Sequence, residues 1–393
     1  MDSRTGLPVV GMVGGGQLAR MTHQAAISLG QSLRVLAADE NDSAGLVAGQ
    51  VTIGHHTDLD ALRAFAAGVD VLTFDHEHVP GPHLRTLAAE GVVVRPGPEA
   101  LAFAQNKLVM RERLSATGFP CPPYTAVSEV DDVLKFGAAH SWPVVLKATQ
   151  GGYDGRGVWM PGSADEAREL VPELLAGGTD LLVEQRVDMR RELSALVARS
   201  PFGQGAAWPV VETVQEEGIN TEVLAPAPGL TPEQVDEAQD LALRIAAELG
   251  VVGLLAVELF ETPGGLVINE LAMRPHNSGH WTMDGSATSQ FEQHLRAVLD
   301  YPLGTTNLRS PTVMANVLGA PETPKMSPDE RLHHLFARFP DARAHLYGKG
   351  ERPGRKLGHV NLVGTDIDEL RPRARLAAHW LSHAEWLDGY RIH

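Results

Sequence analysis

One cysteine, Cys121, is all that a chain of 393 residues contains. A single thiol excludes an internal disulfide and any cysteine-built zinc cluster. With Pro120, Pro122 and Pro123 around it, Cys121 reads as part of a structural loop. Positive charge is also short. Lys and Arg number 33 against 49 Asp and Glu, a formal net charge of −16. Such a surface repels nucleic-acid backbones and anionic membranes, and leaves small anions to be held by local positive loops. No apolar run approaches the ~20 residues that span a bilayer. The first six residues carry no apolar signal core. The expectation is a cytoplasmic protein with no nucleic-acid or membrane partner. Internal repeats and long low-complexity tracts are absent too. What is present is ordinary for a globular protein, 43% hydrophobic and 21% charged. The length suits two or three domains of ~100–200 residues each.

Residues 8–100 alternate strand-like and helix-like segments. Strands are expected at 8–13, 33–38, 69–74 and 92–94, with a helix over Gln17–Leu29, which is the βαβ pattern of a parallel sheet. A helix over Lys107–Thr117, a helix over Val130–Ala139 and strands at 143–147, 158–160 and 181–184 follow. Thr231, Pro232 and Gln234 form a capping-box start for a long helix that ends near Gly250.

Two glutamates then frame a hairpin. Thr262-Pro263-Gly264-Gly265 is strong turn chemistry between two β-rich runs. A turn centred on Gly264 sets Glu258 opposite Glu270, with Cβ atoms about 5 Å apart. Two bare carboxylates there repel, and a divalent cation removes the repulsion. An oxygen-only donor set with room for phosphates describes magnesium. A solvated pair on an exposed sheet face is the plainer alternative, so other motifs must decide.

The segment from Gly151 to Gly157 holds four glycines in seven residues between two strands. It lacks the Gly-Lys-Ser/Thr ending of a P-loop, but it suits a flap that closes over a triphosphate and excludes water. Lys147 stands just before it. Lys107 sits at a helix start, where a cation opposes the macrodipole and an anionic partner would relieve it. Glu184 to Val187 ends a strand and offers an acid and exposed backbone to a nucleoside. Asp75-His76-Glu77-His78 lies at the carboxyl edge of the parallel sheet, where ligands bind. Glu77 is the expected substrate contact there, because His76 and His78 lack a third metal ligand. The loop Arg274 to Trp281, dense in polar side chains, is an expected substrate wall. Gly14-x-Gly16-x-x-Ala19 with Asp39 imitates a dinucleotide fingerprint, yet a tight turn at a helix start accepts any phosphate.

Taken together, Lys147 before its flap, Glu184-Gln185-Arg186-Val187, and Glu258 with Asn269-Glu270 resemble the ATP-grasp family. The segments Gly14–Met21, Gly151–Gly157, His276–Trp281 and Gly354–His359 are similar to its 5-(carboxyamino)imidazole ribonucleotide synthase branch, over nearly the whole chain. The resemblance implies an α/β ATP-grasp fold. It has a Rossmann-like N-terminal domain (1–100), an ATP-grasp domain of two subdomains hinged near 184–187 (101–309), and a small C-terminal domain (310–393). It implies ATP- and bicarbonate-dependent carboxylation of 5-aminoimidazole ribonucleotide through carboxyphosphate, in purine biosynthesis, by a homodimer. ATP contacts would come from Lys107, Lys147, Gly152, Tyr153, Asp154, Gly155, Arg156, Gly157, Val158, Glu184, Gln185, Arg186, Val187, Glu192, Gln215, Asn269 and Glu270. Magnesium, or manganese, would be held by Glu258 and Glu270. The ribonucleotide would meet Gly16, Gln17, Glu77, Tyr153, Arg156, Arg274, Lys349 and Arg355. The chemistry would fall to Arg274, His276, Asp154 and Lys147, with His276 or Asp154 as the base. Asp75, Met273 and Gln215 depart from the family's usual residues, and Lys356 beside Arg355 leaves the tail open by one position. A nicotinamide-dependent reductase is the rival from another class; it leaves the flap and the hairpin unexplained. A formate-dependent ligase of the same fold and a non-catalytic nucleotide-binding scaffold are the others.

Overall fold

Strand β1 (Val9–Val13) is apolar and buried along its whole length, as a strand covered on both faces must be. It pairs in parallel with β2 (Ser32–Ala37) and β4 (Val71–Phe74), and β3 (Val51–Ile53) adds to β2. The order is β3-β2-β1-β4, joined by crossovers that include helices Gln17–Leu29 and Leu59–Ala66. The computed structural model describes residues 1–152 and 155–391. The expected strand at 92–94 is reduced to one bridge, Leu72 to Val94. Gly91 (φ +94°) before it and Pro96 after it leave too little chain to extend the ladder.

A second, antiparallel sheet has the order β5-β8-β6-β7, from β5 (Tyr124–Val127), β6 (Val144–Ala148), β7 (Val158–Trp159) and β8 (Leu181–Gln185). Helices Val130–His140 and Ala164–Ala176 share a core with it through Val133, Phe136, Ala167, Val171 and Val183. The glycine flap joins β6 to β7.

The third sheet has nine strands. They are β9 (Arg191–Arg199), β10 (Gly205–Ala207), β11 (Val211–Glu216), β12 (Ile219–Ala225), β13 (Gly253–Thr262), β14 (Gly265–Ala272), β15 (Thr312–Leu318), β16 (Arg343–Leu346) and β17 (Lys356–Val363). Their order is β14-β13-β9-β11-β12-β15-β17-β16, with β10 on β9. The strands beyond residue 310 therefore extend the hairpin's own sheet, through the β12–β15 pairing. Helix Pro232–Glu248, started by the expected Thr231–Gln234 capping box, packs its Leu241, Ala242 and Ile245 with Leu193, Val197 and Leu255. The same core runs on to Val13, Leu72 and Phe74 of the first sheet, which fixes the first sheet against the third. Helix Ile367–His383 covers Val313, Val360 and Leu362 with Ala374, Ala377 and Trp380. Among the described residues, no helix is long and apolar enough to cross a membrane.

Candidate active site

Glu258 and Glu270 are paired across β13 and β14, as the sequence predicts, but by a different route. The turn is Pro263-Gly264 alone, because Thr262 pairs with Gly265. Thr262 Oγ1 closes it by accepting from the Gly264 N–H (3.1 Å) and donating to Gly265 O (2.8 Å), with Gly265 at φ +117°. Pairs next to the turn are thus offset by one residue from a hairpin centred on Gly264. A bulge beside Glu258 absorbs Asn269 and restores the expected pairs from Glu258–Glu270 outward. Strict alternation would send Asn269 and Glu270 to opposite faces; the extra residue re-aims the side chain. Both now reach one site. Asn269 Nδ2 lies 3.5 Å from Glu258 Oε2, Asn269 Oδ1 accepts from Lys147 Nζ at 3.1 Å, and Glu270 Oε1 accepts from Lys107 Nζ at 2.6 Å.

The cations are set by buried pairs. Asn106 caps helix Lys107–Ala116 through the N–H groups of Leu108 and Val109. The Lys107 N–H donates to Thr149 O at 2.8 Å, tying the helix start to the end of β6. One turn on, Arg111 is 1% exposed and donates Nε to Glu184 Oε1 and Nη2 to Asn269 O, both at 2.6 Å. Lys147 Nζ takes the other Glu184 oxygen at 2.8 Å. Burial pushes the Glu184 carboxyl up, but Lys147 and Arg111 outweigh it and hold the group below its usual range. Each Glu184 oxygen is held by one cation, so its side chain places Lys147. An ammonium has three N–H donors. Lys147 uses two, on Glu184 and Asn269, and one remains for an anion.

Burial, with the charges of Glu270 and Glu192, pushes the Glu258 carboxyl well above its usual range, against Lys107 and Lys356. Burial also raises Glu192, partly offset by its hydrogen bond to Gln215. This crowding of acids is what a hard cation would relieve. Among the described residues, no three His, Cys, Asp or Glu side chains are arranged to hold a metal alone. Two carboxylates with space left for phosphate and water ligands fit a divalent ion shared with a polyphosphate. His276 adjoins Glu258. Its Nδ1 faces Ser278 Oγ (2.8 Å) and accepts from the Ser278 N–H (3.4 Å), while Nε2 lies 3.3 Å from Glu258 Oε1. Burial and the charge of Arg274 lower it to about 3. The ring is therefore neutral.

A second half of the site is made of loops. Arg274 Nε donates to Glu77 Oε2 at 2.6 Å and the Met273 N–H to Glu77 Oε1 at 3.3 Å. Lys349 Nζ donates to Gln17 Oε1. Between these pairs lies Asp75, 7% exposed. Burial lifts its carboxyl to about 6, against the N–H groups of Gly16 and Ala19 and the charges of Arg274 and Lys349. A Cβ on Gly14 would sit 1.9 Å from Asp75 Oδ1, and one on Gly16 2.5 Å from Oδ2. The glycines are thus required by Asp75 as well as by any ligand, and two N–H groups of the helix start are already turned to it. Burial, Arg355 and Lys356 pull Lys349 down to about 8.

Of the expected residues, Lys107, Lys147, Glu192, Gln215, Glu258, Asn269, Glu270, Arg274 and His276 converge on one region. Gln17, Glu77, Lys349 and Arg355 adjoin it. Gln185, Arg186 and Val187 line the β8 exit, Arg186 being exposed. Gly152, Gly155, Arg156, Gly157 and Val158 form the flap, with Gly155 (φ +74°) and Gly157 (φ +75°) left-handed. Tyr153 and Asp154 lie outside the described residues. Asp39, the would-be ribose acid of a dinucleotide site, instead accepts from Asn41 N and Nδ2 at 2.8 and 2.9 Å. His76 and His78 stand 5.3 Å apart, ring to ring, with His56 at 4.6 and 6.5 Å. Arg111 went unnoticed in the sequence; Asp75 and Lys356 were weighed only as departures from the family pattern, yet Asp75 is a buried acid and the charge of Lys356 reaches Glu258 and His276. The spacing Lys107-x-x-x-Arg111, one helix face, was the available signal for the first.

The chain matches family models for a ribonucleotide synthetase preATP-grasp domain over residues 7–105, an ATP-grasp domain over 112–291 and a phosphoribosylaminoimidazole carboxylase C-terminal domain over 312–373. It is 64% identical over 388 residues to the N5-carboxyaminoimidazole ribonucleotide synthase of Mycobacterium tuberculosis H37Rv, covering 98% of this chain and 90% of that one. The same enzyme of Corynebacterium ammoniagenes is 49% identical, covering 98% and 94%. A crystal structure of the Aspergillus clavatus synthase with ADP and 5-aminoimidazole ribonucleotide superposes with TM-score 0.86 at 32% identity, over 95% of this chain and 98% of that one. Fold, site and relatives agree: this chain belongs to the ATP-grasp ligases, in the N5-carboxyaminoimidazole ribonucleotide synthase family.

Proposed function

We propose that the protein carboxylates 5-aminoimidazole ribonucleotide at the expense of ATP, in purine biosynthesis. The observation that carries this is the bulged hairpin, which turns Glu258, Asn269 and Glu270 toward Lys147 and Lys107 at the foot of a glycine flap. A bicarbonate oxygen attacks the γ-phosphorus, the bond to the β-phosphate oxygen breaks, and ADP leaves. The amine of the ribonucleotide then attacks the carboxyphosphate carbon, phosphate leaves, and the amine proton passes to a base. Phosphoryl transfer asks the protein mainly for positioning and charge neutralisation. Lys147 offers its remaining N–H to the phosphates, held by Glu184 and Asn269. Glu258 and Glu270 would hold magnesium, which when bound supplies neutralising charge to the triphosphate. Arg274, fixed through Nε by Glu77 and through Nη1 by the Pro275 carbonyl, presents Nη2 to bicarbonate and carboxyphosphate. His276, beside Glu258, and Asp154 are the candidate bases. The flap, closing, keeps water from carboxyphosphate. Gln185 to Val187 face the nucleoside, and Gly16, Gln17, Arg156, Lys349 and Arg355 the ribonucleotide. We divide the chain near residues 100 and 310, and take from the family resemblance a cytoplasmic homodimer, checked by sedimentation.

The test is ADP release with ATP, magnesium and bicarbonate, with and without the ribonucleotide. Release should depend on the ribonucleotide and on bicarbonate. Release indifferent to the ribonucleotide, or requiring formate, overturns the reading, and NADH binding in place of ATP would favour the reductase.

A further inference from the structure

The loop from Gly348 to Arg355 leaves β16 and enters β17, and it carries Lys349 to Gln17 of the first domain. Gly348 (φ +66°) and Gly354 (φ +71°) bend it, and most of its residues are exposed. It is held from below in two ways. Along the backbone, the Gly319 N–H donates to Arg355 O and the Gly354 N–H to Gly319 O, both at 2.8 Å. A Cβ at Gly319 would lie 1.9 Å from Arg352 O, so the loop can lie this low only over glycine. Through side chains, the hold is Arg331, 3% exposed, on helix Pro328–Arg338. Its Nη1 donates to Leu381 O at 2.6 Å, its Nη2 pairs with Glu351, and its own carbonyl accepts from Trp380 Nε1 at 2.8 Å.

A cavity of about 110 Å³ lies under the loop, lined by Val317, Leu346, Lys349, Glu351, Leu357 and Leu381. Arg331 Nε and Glu351 Oε2 are buried with no protein partner. That volume and those two atoms suit a few waters. The loop is therefore backed by space, and what sets its height is the ion pair and the Gly319 contact. A buried guanidinium is costly unless paired, and this one is committed to a loop residue two positions from Lys349.

We propose that Arg331, acting through Glu351, is a positioning residue for the acceptor ribonucleotide: it sets the height of the 348–355 loop and so the place of Lys349. The inference rests on the reading that Lys349 contacts the ribonucleotide. The test varies ribonucleotide and ATP separately for Lys349→Gln, Arg331→Met, Glu351→Gln and the Arg331→Met/Lys349→Gln double variant, with a thermal midpoint for each. Arg331→Met and Glu351→Gln should each raise KM for the ribonucleotide about 5- to 20-fold and leave KM for ATP within about twofold, the pattern of lost ground-state binding. The double variant should be no worse than Lys349→Gln, because both changes act through one group. If Lys349→Gln raises KM for the ribonucleotide and the other two leave it within about twofold, or raise both KM values alike, the positioning role is wrong. If Lys349→Gln itself leaves that KM unchanged, the reading beneath the proposal fails with it. Should Arg331→Met not fold, Glu351→Gln decides by the same criteria, since it removes the charge of the pair and keeps its shape.

Discussion

Glu258 and Lys349 stand in one site and are held there in opposite ways. Glu258, Glu270, Asn269 and Lys147 project from strands, and the cations among them are fixed by the buried Arg111–Glu184–Lys147 cluster. Lys349, Gln17, Glu77 and Arg274 come from loops and one helix start, and are fixed by pairs that cross between parts of the chain far apart in sequence. A group on a strand inherits its direction from the ladder. A group on a loop owes it to whatever the loop rests on. The strand half should therefore fail by losing chemistry and stability together, and the loop half by losing affinity for one substrate.

The largest effect sharpens the first side. Glu270→Gln should lower ADP formation by about 10²–10³-fold or more, comparable to removing a main transition-state contact, with an unchanged circular dichroism spectrum; wild-type turnover would remove the pair from the metal site. Next, Arg111→Met leaves Glu184 buried with one cation and should cost about 3 kcal/mol in urea unfolding, as well as raising KM for ATP through Lys147. A loss confined to kinetics would break the link between strand-borne chemistry and stability. On the loop side, Glu77→Gln releases Arg274 and should raise KM for the ribonucleotide or bicarbonate about 10-fold with a thermal midpoint within a degree or two. A large fall in the midpoint would erase the contrast.

A pH profile separates the halves more finely. Lys349 binds an anion only when protonated, and burial with Arg355 and Lys356 lowers it to about 8. Affinity for the ribonucleotide should thus be full below that value and decline as pH rises through it, and Lys349→Gln should flatten this limb. Glu258 shows in stability rather than in affinity. Its folded pKa lies above the unfolded one, so its contribution to stability is present at acid pH and lost as pH rises through the folded value. The free protein should lose thermal stability over that range, while magnesium with ATP, binding the ionised form, should remove the slope. The smallest effect is a control away from the site: Thr231→Ala should cost about 1 kcal/mol through the lost helix cap, with both KM values intact.

How much of this was legible follows the same division. The capping box at Thr231, strands β1, β2 and β4 and the hairpin are local patterns, and residues near in sequence dictated them; β3 was not expected. The Glu258–Glu270 pairing was right although the turn centre was not, because a two-residue turn and a bulge of one residue offset each other. Arg111 was missed despite its spacing from Lys107, since its partner Glu184 lies 73 positions away and an arginine on a helix reads by itself as solvated. The 92–94 strand was overstated because three valines have β propensity, yet Gly91 and Pro96 leave the ladder no length.

Sequence alone determined which chemical groups are available: a carboxylate pair at a turn, a flap of glycines behind a lysine, and acids whose repulsion a cation would relieve. These follow from spacing and side-chain type. Tertiary structure decided what each group is used for. It spent both oxygens of Glu184 on cations, placed His276 beside Glu258, and set Asp75 under the glycine turn. It also brought Lys349 to Gln17 across 332 positions. The reason is that direction, burial and charge pairing belong to the packed chain, and no residue carries them by itself.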